Sequence, residues 1–291
     1  MKKHLIWAAA SAALLASCAK EETQTFTPAA TDLPQASITF VAEENADFTR
    51  AFFDNTTTTE AWEQSLSSLT VFCFEEGALV VRRNFTSAEL SSRRSTFALP
   101  RSTAGKSIEF YALANAAVDE NITTKTALLA LTEETPGSYN GTFANVSSKA
   151  LRSGGFLMSG TATKSIGAAG TTTEVAITLR RDVAKVAVQA SLSPAFADKY
   201  PGTVRITSVK LSRSAMQTPY FGGTPKTGAM TFTHTQTPGE TSGRFNALFY
   251  CFENAALASG SRVLLTLDGV YDRDGKTSTT SDQVPISYEV E

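Results

Sequence analysis

The chain has 291 residues and a formal net charge of -2, with 42% hydrophobic and 19% charged residues. This composition excludes wholesale disorder and offers no basic surface for nucleic acid. The length exceeds what one hydrophobic core usually organises, which favours two domains. The three cysteines, Cys18, Cys73 and Cys251, are too few and too scattered for a disulfide-dense scaffold.

The N-terminal residues have the features of a bacterial lipoprotein leader. Two lysines precede an apolar run, residues 5–16, that is too short to span a bilayer. The sequence Leu15-Ala16-Ser17-Cys18 resembles a lipobox, in which the leader is removed before the cysteine and lipid is attached to the thiol. We predict a signal peptide at residues 1–17 and a lipidated Cys18 that holds the chain on the outer membrane. The alternative is a secretory leader that contains a cysteine by chance.

The residues that follow Cys18 predict a tether. Residues 18–35 lack hydrophobic periodicity, which is typical of a flexible linker. Within them, Lys20-Glu21-Glu22 resembles the surface-export signal of lipoproteins in one phylum of Gram-negative anaerobes. This favours display on the cell surface. The alternative is that the three charged residues only keep the tether solvated.

Short segments rich in β-branched and aromatic residues predict strands in the first half, beginning with the alternating sequence SITFVA at residues 37–42. A polar loop is expected at residues 44–60, and Trp62, Leu66 and Leu69 have the spacing of a short helix. Two apolar runs flank Glu76-Gly77, which is typical of a hairpin. Further strands are expected at residues 95–99, 107–114, 139–143, 155–159 and 174–179, and a short helix within 123–132.

The second half repeats the pattern of short strands separated by Thr- and Gly-rich turns. Strands are expected at residues 183–192, 203–213, 229–235, 244–254, 261–272 and 283–291. This spacing is typical of β-sandwiches. We predict an all-β fold with one or two short helices and two sandwich domains, residues 36–182 and 183–291.

No arrangement of residues predicts catalysis. Once the leader is removed, His234 is the only histidine, which makes a catalytic triad or a histidine metal site hard to build. The sequence Asp272-Arg273-Asp274-Gly275 resembles part of a calcium loop but lacks the remaining ligands, so a hairpin turn is preferred. Cys73 and Cys251 lie in apolar strands, where a buried side chain is the simplest interpretation. We predict no enzyme, no cofactor and no metal site.

The order and spacing of several segments resemble the fimbrillins, the FimA-like and Mfa1-like lipoprotein subunits of pili on Gram-negative anaerobes. Beyond the lipobox, the matching segments are AWEQSLSSLTVFCFEEGALV (61–80), FYALAN (110–115), FLMSG (156–160), LRRDVAKVAV (179–188) and FYCFEN (249–254). The resemblance implies two transthyretin-like β-sandwiches. It also implies a structural and adhesive pilus subunit that assembles with other fimbrillin subunits by donor-strand exchange.

The resemblance further implies a processing site. In fimbrillins an arginine-specific protease cuts the loop after the first strand, and Arg50-Ala51 lies in the matching place. Ile38 and Phe40 of that strand would fill a groove in the first domain, and their removal would leave an apolar trench with an unpaired edge. A strand from a neighbouring subunit would fill the trench. The alternative is that Arg50 is an ordinary exposed arginine.

The C-terminal end departs from the fimbrillin pattern. The chain stops at QVPISYEVE, without the further strand that usually closes the second domain of fimbrillins and without the donor tail that stalk subunits add. A missing tail suits a tip-like subunit, whereas a missing closing strand suits a truncated sequence and an incomplete second domain. Both interpretations stay open.

The alternative to a pilus subunit is a surface lipoprotein that binds glycans. A membrane-anchored surface lipoprotein that binds glycans would remain uncut and would present an exposed aromatic platform. Trp62 is expected to pack in the predicted helix, and most tyrosines and phenylalanines lie in strand patterns that predict burial. This counts against the glycan-binding alternative.

Overall fold

The computed structural model describes residues 32–42, 65–134, 155–223, 230–235, 244–254, 258–276, 278 and 280–291. These residues form mainly β-strands, which confirms the predicted all-β fold. The strands are β1 Gln35–Ala42, β2 Leu69–Glu75, β3 Ala78–Asn84, β4 Arg94–Ala98, β5 Ser107–Ala114, β6 Thr132–Glu134, β7 Met158–Ser165, β8 Thr172–Arg181, β9 Val183–Ser191, β10 Thr203–Ser214, β11 Gln217–Pro219, β12 Met230–Thr235, β13 Arg244–Phe252, β14 Leu264–Asp272 and β15 Gln283–Val290. The short helices are α1 Ser87–Ser92, α2 Lys125–Leu129 and α3 Pro194–Lys199, with a 3-10 turn at Arg101–Thr103.

In the first half, one seven-stranded sheet folds over on itself. Its strand order is β3-β2-β5-β7-β8-β1-β4, but β7 and β8 pair only at Met158↔Arg181 and Ser159↔Arg180 before they diverge. Gly160 lies at this crossing, where a Cβ atom would stand 2.3 Å from the carbonyl oxygen of Thr178. Alternate side chains of β1, β2, β4, β5 and β8 meet in one apolar core. Because strands from both ends of the sheet share this core, the two parts of the sheet form a sandwich.

The second half has its own core between two smaller sheets. One sheet has the order β12-β10-β14-β15, and the other is the antiparallel pair β13-β9. Buried side chains from both sheets meet in the core, among them Val209, Leu211 and Phe249. The last strand, β15, pairs along its whole length with β14, yet Ile286 and Tyr288 on one face are exposed. This face of the sheet is not covered by the described residues.

The two halves contact each other through a small sheet and aromatic pairs. Strand β11 of the second half pairs antiparallel with β6 of the first half. Phe221, just after β11, packs edge-on against Tyr111, with ring centroids 5.1 Å apart. Phe156 and Tyr250 form a second aromatic contact at 5.0 Å. Residues 31–291 accordingly form one compact unit.

An asparagine closes the corresponding corner in each half. Asn115, the last residue of FYALAN, has a positive φ of 59°, and its side-chain amide donates to the carbonyls of Ser65 and Phe156, both at 2.7 Å. Asn254, the last residue of FYCFEN, donates to the carbonyl of Arg213 and accepts from the N–H of Ala215, both at 2.8 Å. The two segments matched to the fimbrillin pattern therefore end in residues with the same physical role.

Most strand predictions agree with the structure, and the hairpin at Glu76-Gly77 is confirmed, with both turn residues at positive φ. The short helix within residues 123–132 is confirmed as α2. The helix predicted from Trp62 to Leu69 is wrong over residues 65–69, because Leu69 begins β2 and pairs with Ala114 of β5. The rest of that helix and the strand predicted at 139–143 lie outside the described residues.

Two helices were not predicted, although their sequences carry start signals. Thr86 and Glu89 form a reciprocal capping box around the first turn of α1. Helix α3 begins with Pro194, a residue suited to the first helical position. None of the helices in the described ranges is long and apolar enough to cross a membrane.

Replacing Asn115 tests the corner of the first half. Asn115→Ala is expected to lower the free energy of unfolding by about 3 kcal/mol, since the buried carbonyl of Phe156 and the partly buried carbonyl of Ser65 lose their donor and alanine disfavours the positive φ. Asn115→Gly keeps the backbone conformation and should cost about 1 kcal/mol less. Urea unfolding measures both changes. Equal stability of the wild type and Asn115→Ala would show that the corner contributes nothing.

Candidate functional site

Strand β1 lies between β8 and β4 in the first half. It pairs with β8 in parallel from Gln35↔Thr172 to Ala42↔Leu179, and with β4 in antiparallel from Gln35↔Ala98 to Thr39↔Arg94. Past the end of the β4 ladder, the N–H of Phe40 donates to the carbonyl of Arg93 at 3.2 Å. Backbone pairing on both edges makes β1 an internal strand, although it is the first strand of the described chain.

The inner face of β1 supplies part of the first core. Ala36, Ile38 and Phe40 alternate along the strand, and each is at most 2% exposed. The Phe40 ring packs edge-on against Phe85, with centroids 5.7 Å apart. Full burial of such side chains stabilises a fold by about 1.5–3 kcal/mol each. The structure thus places the two predicted groove-filling residues, Ile38 and Phe40, in the core of the first half.

The outer face of β1 carries a polar contact that sequence patterns did not predict. Ser37 points away from the core, yet its exposed fraction is 0%. Arg94 of β4 donates from Nε to the Ser37 hydroxyl at 3.0 Å and from a terminal nitrogen to Glu174 of β8 at 2.9 Å. We call the pair Arg94–Glu174 the β4–β8 bridge, because it joins the two neighbours of β1 across its outer face.

Glu89 of α1 fixes the start of β4. Its carboxylate accepts hydrogen bonds from the Ser95 hydroxyl, the Thr86 backbone N–H and the Arg83 guanidinium. Partial burial raises the pKa of Glu89, but these hydrogen bonds outweigh it and lower the pKa to about 2. Because Ser95 pairs with Ile38, the carboxylate holds the strand edge to which β1 binds.

The remaining predicted site residues lie elsewhere. Cys18, Arg50 and Ala51 are outside the described residues. Cys73 and Cys251 are free thiols buried in different cores, Cys73 in the first half and Cys251 in the second. Burial raises the pKa of both thiols, that of Cys251 to about 11. His234 lies in β12.

An acidic cluster lies in the connection between β14 and β15. Carboxylate oxygens of Asp272, Asp274 and Asp282 come within 4.8 Å of one another. Backbone N–H groups of the same loop donate to each of them, for example Gly275 to Asp272 at 3.0 Å. Bonds of this kind stabilise loop turns. The expected hairpin is present, but residues 273–282 connect its strands rather than a two-residue turn at Asp274-Gly275.

A cavity of about 830 Å³ lies where the outer faces of β7 and β8 meet β11. Side chains of both charges line it, including Arg180, Asp182 and Glu253, together with Thr178 and Phe221. Its volume lies in the range of small-molecule sites. The lining has no arrangement of groups that selects one class of ligand.

Comparison with known proteins identifies the fold. Residues 30–283 match the family described as fimbrillin-A associated anchor proteins Mfa1 and Mfa2. The chain belongs to this family. The match spans both halves of the structure, so the resemblance to fimbrillins is confirmed.

Solved structures agree with the family in fold. A fimbrillin (FimA) from Porphyromonas gingivalis W83 is 15% identical with a TM-score of 0.55, over 89% of this chain and 81% of that one. A candidate cell adhesion protein from Parabacteroides distasonis is 16% identical with a TM-score of 0.58, over 89% and 80%. A fimbrial assembly protein from the same species is 12% identical with a TM-score of 0.52, over 87% and 85%. No curated protein matches the sequence.

For this member of the Mfa1 and Mfa2 family, sequence reasoning found the inner face of β1 and missed its outer face. The alternation of Ile38 and Phe40 is a local signal. Arg94 and Glu174 are 80 residues apart in the sequence, and nothing in either segment indicates that β1 would bring them together. The capping-box pattern at Thr86 and Glu89 was the one available signal near the start of β4.

Adjacent residues of β1 provide a matched test of its role in stability. Phe40→Ala is expected to reduce the free energy of unfolding by about 3–5 kcal/mol, because it leaves a cavity in the core. Val41→Ala should change it by less than about 0.5 kcal/mol, since Val41 is 52% exposed. Urea unfolding of both variants decides the point, and equal losses would contradict the assignment of the inner face.

The lowered pKa of Glu89 predicts a specific pH dependence. Its folded-state pKa of about 2 lies below the ordinary 4.5, so the stabilisation is present above the ordinary value and is lost as pH falls through the folded one. Glu89→Gln should therefore cost roughly 2 kcal/mol at neutral pH and almost nothing near pH 2. Urea unfolding across this range tests the sign. A constant difference between the two proteins would exclude the carboxylate as the cause.

Proposed function

We propose that the chain is a structural and adhesive subunit of a cell-surface fimbrium that assembles by donor-strand exchange. The observation that carries this proposal is the position of β1. The first strand of the described chain fills a slot between two other strands, and the backbone edges of β4 and β8 depend on it. Family membership supports the fimbrial assignment independently.

Loss of β1 would create a binding site of defined shape. Departure of β1 would leave the space of the Ile38 and Phe40 side chains empty in the core. It would also leave backbone N–H and C=O groups of β4 and β8 unpaired. Both features are costly in water. An extended segment from another fimbrial subunit would restore the backbone pairing and the apolar contacts together. Subunits would thus be joined by the same interactions that hold β1 in its own fold.

Processing at Arg50-Ala51 would provide the trigger. An arginine-specific protease that cuts there would separate β1 from β2, after which only non-covalent contacts hold β1 in place. Loss of the covalent link lowers the effective concentration of the strand at its slot and allows another strand to compete.

Lipidation of Cys18 fits the same order of events. The lipid would hold the exported chain on the outer membrane through the residues between Cys18 and Gln35, the first residue of β1. A cut after Arg50 would leave lipid and β1 on one fragment and the two sandwich halves on the other. The protein would therefore move from the outer membrane to the fimbrium, with no catalytic step of its own.

The two buried thiols allow a direct test. Residues 19–291 are treated briefly with an arginine-specific protease, separated by size and labelled with a thiol reagent. We expect one cut after Arg50, loss of the N-terminal fragment, and labelling of Cys73 at least about tenfold faster than before. Cys251 in the second core should remain protected, because it reports general unfolding.

An Arg50→Lys variant is the control and should keep both thiols protected under the same treatment. Cleavage at other arginines while Arg50 stays intact would contradict the processing step. A clean cut after which the N-terminal fragment stays bound, even when an excess of labelled β1 peptide is added to replace it, would contradict strand exchange.

A further inference from the structure

We propose that the β4–β8 bridge selects the strand that enters the slot, and that this strand must place a serine or threonine beneath the bridge. The inference rests on the proposed strand exchange and adds the chemical character of the partner. The expected partner is an extended segment of another subunit. It carries apolar side chains at alternate positions and one hydroxyl residue between two of them, as Ser37 lies between Ala36 and Ile38.

The burial of Ser37 is the first step of the argument. Residues on the outer face of a sandwich strand normally face water, and Val41, two positions beyond Thr39, is 52% exposed. Ser37 is fully buried on the same face, and the Arg94 side chain donates a hydrogen bond to its hydroxyl. The outer face of the slot therefore has a covered position as well as open ones.

The span of the bridge is the second step. Strands β4 and β8 are separated by the width of β1, so about 9–10 Å lies between their backbones. Arg94 and Glu174 cross this gap with side chains that meet at 2.9 Å. A side chain larger than serine or threonine beneath them would have to displace this contact.

Hydrogen-bonding chemistry is the third step. The Nε–H of Arg94 is directed at the Ser37 hydroxyl at 3.0 Å, while a terminal nitrogen of the same guanidinium binds Glu174. The planar guanidinium has fixed donor directions, so Ser37 and Glu174 must both lie at defined positions to accept its hydrogen bonds. A hydroxyl accepts the hydrogen bond of the Nε donor directly, whereas alanine offers no acceptor and leucine would occupy the place of the hydroxyl.

The inner face alone would select weakly. Any segment with alternating apolar residues of suitable size can bury them in the slot, because hydrophobic contacts have no direction. A covered, hydrogen-bonded position on the outer face adds a requirement that most apolar strands do not meet. Discrimination by an unpaired polar group or a clash is a general source of specificity.

A double-mutant cycle in the intact chain tests the bridge without any cleavage. Ser37→Ala and Arg94→Met are each expected to reduce the folding equilibrium constant about threefold to tenfold, which corresponds to one lost hydrogen bond. Together they should cost no more than the larger single change. The matched control combines Ser37→Ala with Lys106→Met, which breaks the Lys106–Glu75 ion pair of the same half, and should be additive. Additive effects of Ser37→Ala and Arg94→Met would show that Ser37 and Arg94 do not interact, which would contradict the inference.

Exchange of labelled peptides then tests selection. Residues 19–291, cut after Arg50, are incubated with fluorescent peptides of residues 33–43 that carry serine, threonine or leucine at position 37. The threonine peptide should bind within about threefold of the serine peptide, and the leucine peptide at least tenfold more weakly. The difference in affinity between the leucine and serine peptides should be smaller when the cut chain carries Arg94→Ala.

An Ile38→Ala peptide separates this inference from the proposed function. If Ile38→Ala weakens binding while the leucine peptide binds as well as the serine peptide, strand exchange stands and selection by the bridge is wrong. If even the wild-type peptide fails to enter the slot, strand exchange is wrong, and the inference about the partner strand falls with it.

Discussion

The insertion of β1 between β8 and β4 is the constraint on which the first half of the protein depends. Its backbone completes two ladders, one parallel and one antiparallel, and its inner side chains complete the core. Neither neighbour can pair with the other in its absence, because they stand two strand spacings apart. Under the proposed strand exchange, stability and assembly depend on the same strand, since the segment that completes the fold is also the one that another subunit would replace.

Several other features hold the walls of this slot in place. Helix α1 and the carboxylate of Glu89 fix the first residues of β4, and the short pairing of β7 with β8 turns the sheet over the core. Asn115 ties the end of β5 to the residues before β2 and before β7. Under the proposed strand exchange the slot would have to keep its shape while its occupant changes, and these hydrogen bonds among the wall residues do not involve β1. The bridge over Ser37 is the exception, because it joins the walls and contacts the occupant at once.

The second half adds a different kind of surface. Its core is formed by two smaller sheets, and β15 leaves Val284, Ile286 and Tyr288 exposed on one face. The pairing of β11 with β6 and the contact of Phe221 with Tyr111 connect this half to the first. A change of occupant in the slot would take place in a chain whose two halves contact each other directly.

The sequence by itself determined the features that depend on neighbouring residues. Alternation of apolar side chains specified β1 and most other strands, and Glu76-Gly77 specified a hairpin, because pleat and turn conformations are local properties. The same reasoning failed for residues 65–69, where the helical spacing of Leu66 and Leu69 was overridden by pairing of Leu69 with β5. The segments that resemble those of fimbrillins predicted the family to which the chain belongs.

Only the tertiary structure decided what β1 contacts. The parallel partner of Ile38 is Val175, and its antiparallel partner is Ser95, and neither pairing follows from the residues around them. Nothing in the sequence around Ser37 indicates that Arg94 and Glu174, distant in sequence, meet next to it. Contacts between remote segments depend on which strands share an edge, and that choice is made by the collective packing of the core rather than by any local pattern.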